Sequence, residues 1–116
     1  MGAIKFKLWN VKKKKFYGPY SIYKINYGDS DPDEWIPIQF TGLHDRTGKE
    51  IYEGDLIRTY INLIFVIKFT MGGFWIEWIN KSESEDTALQ LLSAKNTSSV
   101  VIGNRFENPE LLEAVK

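Results

Sequence analysis

The 116 residues contain no cysteine and a single histidine. The first absence excludes a disulfide framework, a thiol nucleophile and thiolate zinc sites. The second excludes a metal site built from several histidines. Net charge is missing too: fifteen basic residues balance fifteen acidic ones, which removes a whole-molecule attraction to nucleic acid or anionic membrane and leaves only local patches. No apolar run approaches the roughly 20 residues that cross a bilayer, and the lysine-bearing start has no long apolar stretch behind it. The expectation is a soluble, cytoplasmic, single-domain protein with no membrane partner and no cofactor, held together by an ordinary apolar core. Aromatics are plentiful instead, at 15% of the chain. That leans toward β structure, because rings pack well on pleated surfaces, and it supplies stacking groups wherever they are exposed.

Alternation dominates the start. Ile4, Phe6 and Leu8 fall on one face of a strand and Lys5, Lys7 and Trp9 on the other. The polar run Asn10–Lys15 then reads as a hairpin tip, with the chain returning through Phe16-Tyr17 and turning at Gly18-Pro19 into Ile22–Tyr27. Gly28–Glu34, rich in turn formers and acids, is the one internal boundary. It divides an N-terminal β extension, residues 1–34, from a β domain, residues 35–116. Trp35–Phe40 is a short strand that admits Pro37 only at an edge or bulge. Asp45-Arg46-Thr47-Gly48 is a tight-turn signal and Gly54 marks a second. Strands follow at Leu56–Tyr60, Leu63–Phe69 and Phe74–Ile79, the last two joined by a hairpin loop at Thr70–Gly73. On Phe74–Ile79, Trp78 shares a face with Phe74 and Ile76, while Trp75 faces solvent or a partner. Asn80–Asp86 reads as a polar loop, Thr87–Leu92 as a two-turn helix, and Ser98–Ile102 as a last strand. Asn108-Pro109-Glu110, an N-cap, a first-turn proline and an acid, opens a C-terminal helix. Short strands joined by turns, with one or two short helices, point to a small barrel or sandwich.

Charge is unevenly placed. Lys5, Lys7, Lys12, Lys13, Lys14 and Lys15 meet no acid in the first twenty residues. With Trp9, Phe16 and Tyr17 nearby, Lys12–Lys15 has the ingredients of a surface that tracks a phosphate backbone and stacks on bases. A lysine-rich tip also solubilises a hairpin and blocks edge-to-edge pairing, which is the simpler reading, and arginine is missing from the region. The acidic stretch Asp29, Asp31, Asp33 and Glu34 offers a complement, so opposite charges at two ends of a domain would steer self-association. It lacks the glycine and the distant glutamate of an EF-hand loop.

His44, Asp45 and Asp55 are of the right types for a metal or acid-base site. Turn chemistry is the stronger reading, since Gly42, Gly48 and Gly54 accompany them as tight turns require. Gly42–Gly48 does not precede a helix, as a phosphate-cradling loop must, and no serine sits in a Gly-x-Ser-x-Gly elbow.

The stretch Gln39–Ile57, QFTGLHDRTGKEIYEGDLI, resembles the signature of the YopX family, small proteins encoded by bacteriophages and prophages. The opening Ile4–Asn10 followed by Phe16-Tyr17, and the ending Val101–Leu112, resemble that family's first and last motifs, so the likeness spans nearly the whole chain. The resemblance implies an SH3-like small β-barrel in the C-terminal part. It implies no catalytic residue, because the family has no known biochemical role. The combined reading is a mainly β, non-enzymatic phage or prophage accessory protein acting by self-association or by binding an unknown phage or host protein. A nucleic-acid-binding module using Lys12–Lys15 is the first alternative, and an enzyme with a site near His44 and Asp55 the second.

Overall fold

The computed structural model describes residues 4–28, 30–59, 62–79, 87–88 and 99–114. Its strands are β1 (Lys5–Asn10), β2 (Lys15–Ser21), β3 (Trp35–His44), β4 (Glu50–Tyr52), β5 (Asp55–Arg58), β6 (Ile64–Thr70), β7 (Gly73–Trp78), β8 (Thr87–Ala88) and β9 (Val100–Asn104). One α-helix, α1 (Pro109–Ala114), follows, and short 3-10 turns occupy Ile22–Lys24 and Pro32–Glu34. All pairings are antiparallel and form two sheets, ordered β2-β1-β3-β4 and β8-β7-β6-β5-β9. Among the described residues no pairing closes them into the expected SH3-like barrel. The physical reason lies at Glu53-Gly54. There β4, paired to β3, passes through a tight turn into β5, which pairs with β6 and β9 instead.

Several local expectations hold. The hairpin at Thr70–Gly73 joins β6 and β7 in continuous register from Phe65↔Trp78 to Thr70↔Gly73. Pro37 lies in β3 opposite Leu8, at a point where β3 is paired on one side only, because β4 meets it from Phe40 onward. It is a local edge, where the missing N–H costs no ladder bond. On β7, Ile76 is fully buried and Phe74 and Trp78 pack on the same cluster, while Trp75 lies on the other face and donates its indole N–H to Thr70 O at 3.1 Å.

Others do not. The chain continues through Gly18-Pro19 as β2 to Ser21, with a bulge opposite Phe6 and Leu8, and residues 22–24 form a 3-10 turn rather than strand. β3 outruns its expected end at Phe40 by using Gly42, at φ +88°, to absorb a register shift against β4. Thr87-Ala88 are extended and pair with Ile76 and Trp75, so the helix expected there does not begin at Thr87. A two-turn segment has too few internal bonds to resist an open sheet edge. Residues 89–92, like the loop at 80–86 and Asp29, lie outside the described residues.

Three apolar clusters form the core. Ile51, Ile57, Phe65, Ile67 and Ile76 fill one face of β5–β7, and Leu56, Val66 and Ile79 fill the other beneath Leu111 and Leu112 of α1. The third joins the two sheets: Trp9, Ile38, Phe40 and Tyr52, with Phe16 and Phe106 packed against them. Trp9 lies 4.7 Å from Phe16 and 5.8 Å from Phe106 between ring centroids, so the N-terminal hairpin is anchored on the turn that follows β9. Among the described residues no helix is long and apolar enough to cross a membrane.

Candidate functional site

The hairpin tip is organised by one buried side chain. Asn10 Oδ1 accepts the backbone N–H groups of Lys12 and Lys13 at 3.0 and 2.8 Å, and its carbonyl accepts that of Lys14. The four lysines are held outward on this loop, all exposed. Trp9 does not join them. At 5% exposure it belongs to the aromatic junction, in the stretch Leu8–Asn10 where β1 is buried on both faces, so base stacking by Trp9 is overruled by burial. Tyr17 is half-buried, edge-on to Trp35 at 5.1 Å with Lys15 above its ring. The acidic segment is not at a distant end either. Val11 N–H donates to Glu34 O, and Lys12 Nζ lies 3.1 Å from Glu34 Oε1. Basic tip and acidic turn therefore sit side by side, because β3 starts where β1 ends, with Asn10 opposite Trp35.

In the Asp45–Gly48 turn, Asp45 Oδ1 accepts from Thr47 N–H, Thr47 Oγ1 and Lys49 N–H at 2.7–3.0 Å, and Oδ2 accepts from Val101 N–H at 2.9 Å. Burial opposes the charge, yet these donors hold the carboxyl below the ordinary carboxylate range. Both oxygens are consumed in shaping the turn and tying it to β9. Gly48, at φ +91°, ends the turn as expected. His44 is exposed at the end of β3, edge-on to Phe40 and opposite Glu50. No group of three metal-ligating side chains occurs among the described residues.

Asp55 has different surroundings. Its Oδ2 accepts Tyr52 N–H at 2.7 Å, closing the turn between β4 and β5. Burial then pushes its carboxyl up to about 6, against the opposing effects of that bond and of Lys7 and Lys49. Asp55 lines a cavity of about 220 Å³ where the two sheets meet. Lys7 and Phe16 enter it from the hairpin, Lys49 and Tyr52 from the signature segment, and Asn104 and Asn108 from the C-terminal motif. Glu53, also in the wall, has its carboxyl raised by burial despite a backbone hydrogen bond from Gln39 and the nearby Arg105. Lys7 Nζ is held over the Tyr52 ring, 4.3 Å from its centroid, and over that of Phe16 at 5.5 Å. His44 is not in this wall.

Of the residues picked out from sequence, the structure brings Asp55 into the cavity together with Lys7 and Phe16 of the basic, aromatic N-terminal stretch. Sequence reasoning missed Lys49, Asn104 and Asn108 as site residues and read Lys7 only as one charge of the basic N-terminal stretch. The signal for Lys7 was its place on the same strand face as the buried Trp9. The asparagines were visible only as turn and cap formers.

A family model described as YopX protein matches residues 5–113. The fold is similar to that in the crystal structure of protein EF1440 from Enterococcus faecalis, with a TM-score of 0.63 and 21% identity over 97% of this chain and 99% of that one. No match is found among curated proteins.

Proposed function

For a chain that belongs to the YopX family, we propose the role of a non-enzymatic phage or prophage accessory protein, working in the bacterial cytoplasm by binding through the mixed-charge end of its N-terminal sheet. The partner we favour is a second copy of the chain. One observation carries this: the Lys12–Glu34 ion pair joins an exposed basic tip to an exposed acidic turn. Lys13, Lys14 and Lys15 have no acidic partner among the described residues, and Asp31 and Asp33 are exposed in the turn that ends at Glu34. A surface carrying both signs side by side is self-complementary under a two-fold axis, since each copy can set its lysines on the other's aspartates. The C-terminal sheet with its α1 cover is read as an open relative of the SH3-type barrel, serving as the scaffold for that end.

Sedimentation velocity tests the reading. The expected result is a dimer at about 50 mM salt that dissociates at about 500 mM, where charges a few ångströms apart are screened. Lys13→Glu with Lys14→Glu should give monomers, and mixing that variant with Asp31→Lys, Asp33→Lys should restore a heterodimer. A monomer at low salt, or a dimer indifferent to these changes, defeats it.

The second reading, nucleic-acid binding, is left with Lys12–Lys15 and Tyr17 once Trp9 is buried, and the neighbouring carboxylates repel phosphate. Salt-dependent retardation of labelled DNA at low salt would favour it over self-association.

A further inference from the structure

The cavity between the two sheets is built at a cost that a merely structural crevice does not require. Asp55 is more than nine-tenths buried, and only its Oδ2 is used, by Tyr52 N–H. Its second oxygen has no donor among the described residues, and Asp55 lines the cavity wall. Lys7 and Lys49 share that wall, yet neither closes to ion-pair distance of Asp55. The described ion pairs are Lys5–Glu50 and Lys12–Glu34. Lys7 is seated on aromatic rings rather than on a carboxylate, so its charge is positioned but not neutralised.

The asparagines complete the inventory. Asn104 Oδ1 accepts from Phe106 and Glu107 N–H, its Nδ2 donates to Glu107 Oε1, and Asn108 Oδ1 accepts from Asn104 N–H. Asn104 and Glu107 are thereby engaged with each other, which leaves Asn108 Nδ2 as the amide donor without an acceptor among the described residues. Gly103 keeps this corner tight: a β-carbon there would stand 2.7 Å from Asn108 Oδ1. The wall thus offers Asp55 as its nine-tenths-buried carboxylate, Glu53 as a second carboxyl that burial shifts toward its neutral form, and, beyond ion-pair distance of Asp55, two ammonium donors and an amide. A bare anion would meet Asp55, and a bare cation would meet Lys7 and Lys49. A molecule carrying both signs a few ångströms apart answers Asp55 and the two lysines together.

We propose that this cavity binds a small zwitterion of the α-amino acid class, with its ammonium group on Asp55 and its carboxylate among Lys7, Lys49 and Asn108. The volume, about 220 Å³, leaves room for a compact side chain beside Phe16 and Tyr52. The ligand bridges hairpin, signature segment and C-terminal motif, so its binding is coupled to the junction between the two sheets.

The test uses the full chain, titrated with the common L-amino acids one at a time by calorimetry and by amide NMR, with acetate and ethylammonium as half-ligands. At least one amino acid should bind saturably and shift the Asn108 side-chain amide signals, and each half-ligand should bind at least about tenfold more weakly. Asp55→Asn, which keeps an oxygen for Tyr52 N–H, should lower affinity at least about tenfold. Lys49→Ala, at an exposed position that does not threaten folding, should lower it several-fold. Lys24→Ser, at an exposed position outside the cavity, should leave it unchanged. Absence of saturable binding up to about 10 mM, acetate binding as tightly as any amino acid, or binding indifferent to both cavity variants overturns the proposal.

Discussion

Gly54 and Phe106 touch so closely that a β-carbon on Gly54 would stand 2.6 Å from Phe106 Cε2. Gly54 also donates its N–H to Ile67 O at 2.7 Å and accepts from Arg105 N–H at 2.9 Å. One residue of the signature segment is therefore clamped by β6, by the turn after β9 and by an aromatic ring that itself packs on Trp9 and Phe16. The glycine is needed twice, for its φ of +87° and for the space.

Gly54→Ala should accordingly be far more damaging than Gly48→Ala. Both positions have positive φ, at a cost of about 1 kcal/mol for alanine, but nothing lies within 4 Å of a β-carbon at Gly48. At Gly54 the ring must also move out of a packed core, adding about 1–3 kcal/mol. Urea denaturation of the two variants should show a loss near 1 kcal/mol for Gly48→Ala and at least twice that for Gly54→Ala.

Asp45→Ala should cost about 2–4 kcal/mol, because the backbone donors of Thr47, Lys49 and Val101 lose a charged acceptor together. The carboxyl is held below its ordinary value in the folded protein, so its contribution is present above the unfolded pKa near 3.8 and is lost as pH falls through the folded pKa. The gap between wild type and Asp45→Ala, measured by thermal unfolding, should narrow below about pH 4.

Asp55 should behave with the opposite sign. Its carboxyl is raised to about 6 in the folded state, so the folded protein holds that proton more tightly than the unfolded chain. Its effect on stability is harmless below the unfolded value near 3.8, grows unfavourable as pH rises toward 6, and stays unfavourable above it. The full shift corresponds to about 3 kcal/mol. Asp55→Asn should therefore raise stability by about 1–3 kcal/mol at pH 7.5 and have little effect at pH 4. Equal gains at both pH values would contradict the burial argument. A carboxylate that weakens the fold at neutral pH fits the ligand-binding role proposed for it.

Phe106→Ala should loosen the junction between the sheets. It removes a ring in contact with both Trp9 and Phe16 and should cost about 3–4 kcal/mol. Tryptophan emission should move to longer wavelength as Trp9 gains water, measured under conditions where the variant remains folded.

What could be read from the sequence was governed by neighbours along the chain. Alternation placed Lys7 and Trp9 on one face of a strand, Asp45-Arg46-Thr47-Gly48 announced its turn, Thr70–Gly73 its hairpin, and Asn108-Pro109 the start of α1. Each rests on bonds spanning a few residues, so residue type suffices. Asn108 shows the boundary of that rule: it does precede the helix, but its side-chain oxygen turns back to Asn104 N–H.

Tertiary structure alone decided the rest. Whether Trp9 met solvent or Phe106, whether Lys12 stood far from Glu34 or against it, and whether Thr87 would coil or pair with Ile76 all depended on strand order and register. The cavity is the clearest case, since Lys7, Asp55 and Asn108 come from three separate segments of the chain. Their chemistry was written in the sequence. Their convergence was not, because it is set by the shape into which two sheets pack around Gly54 and Phe106, and no local pattern encodes that.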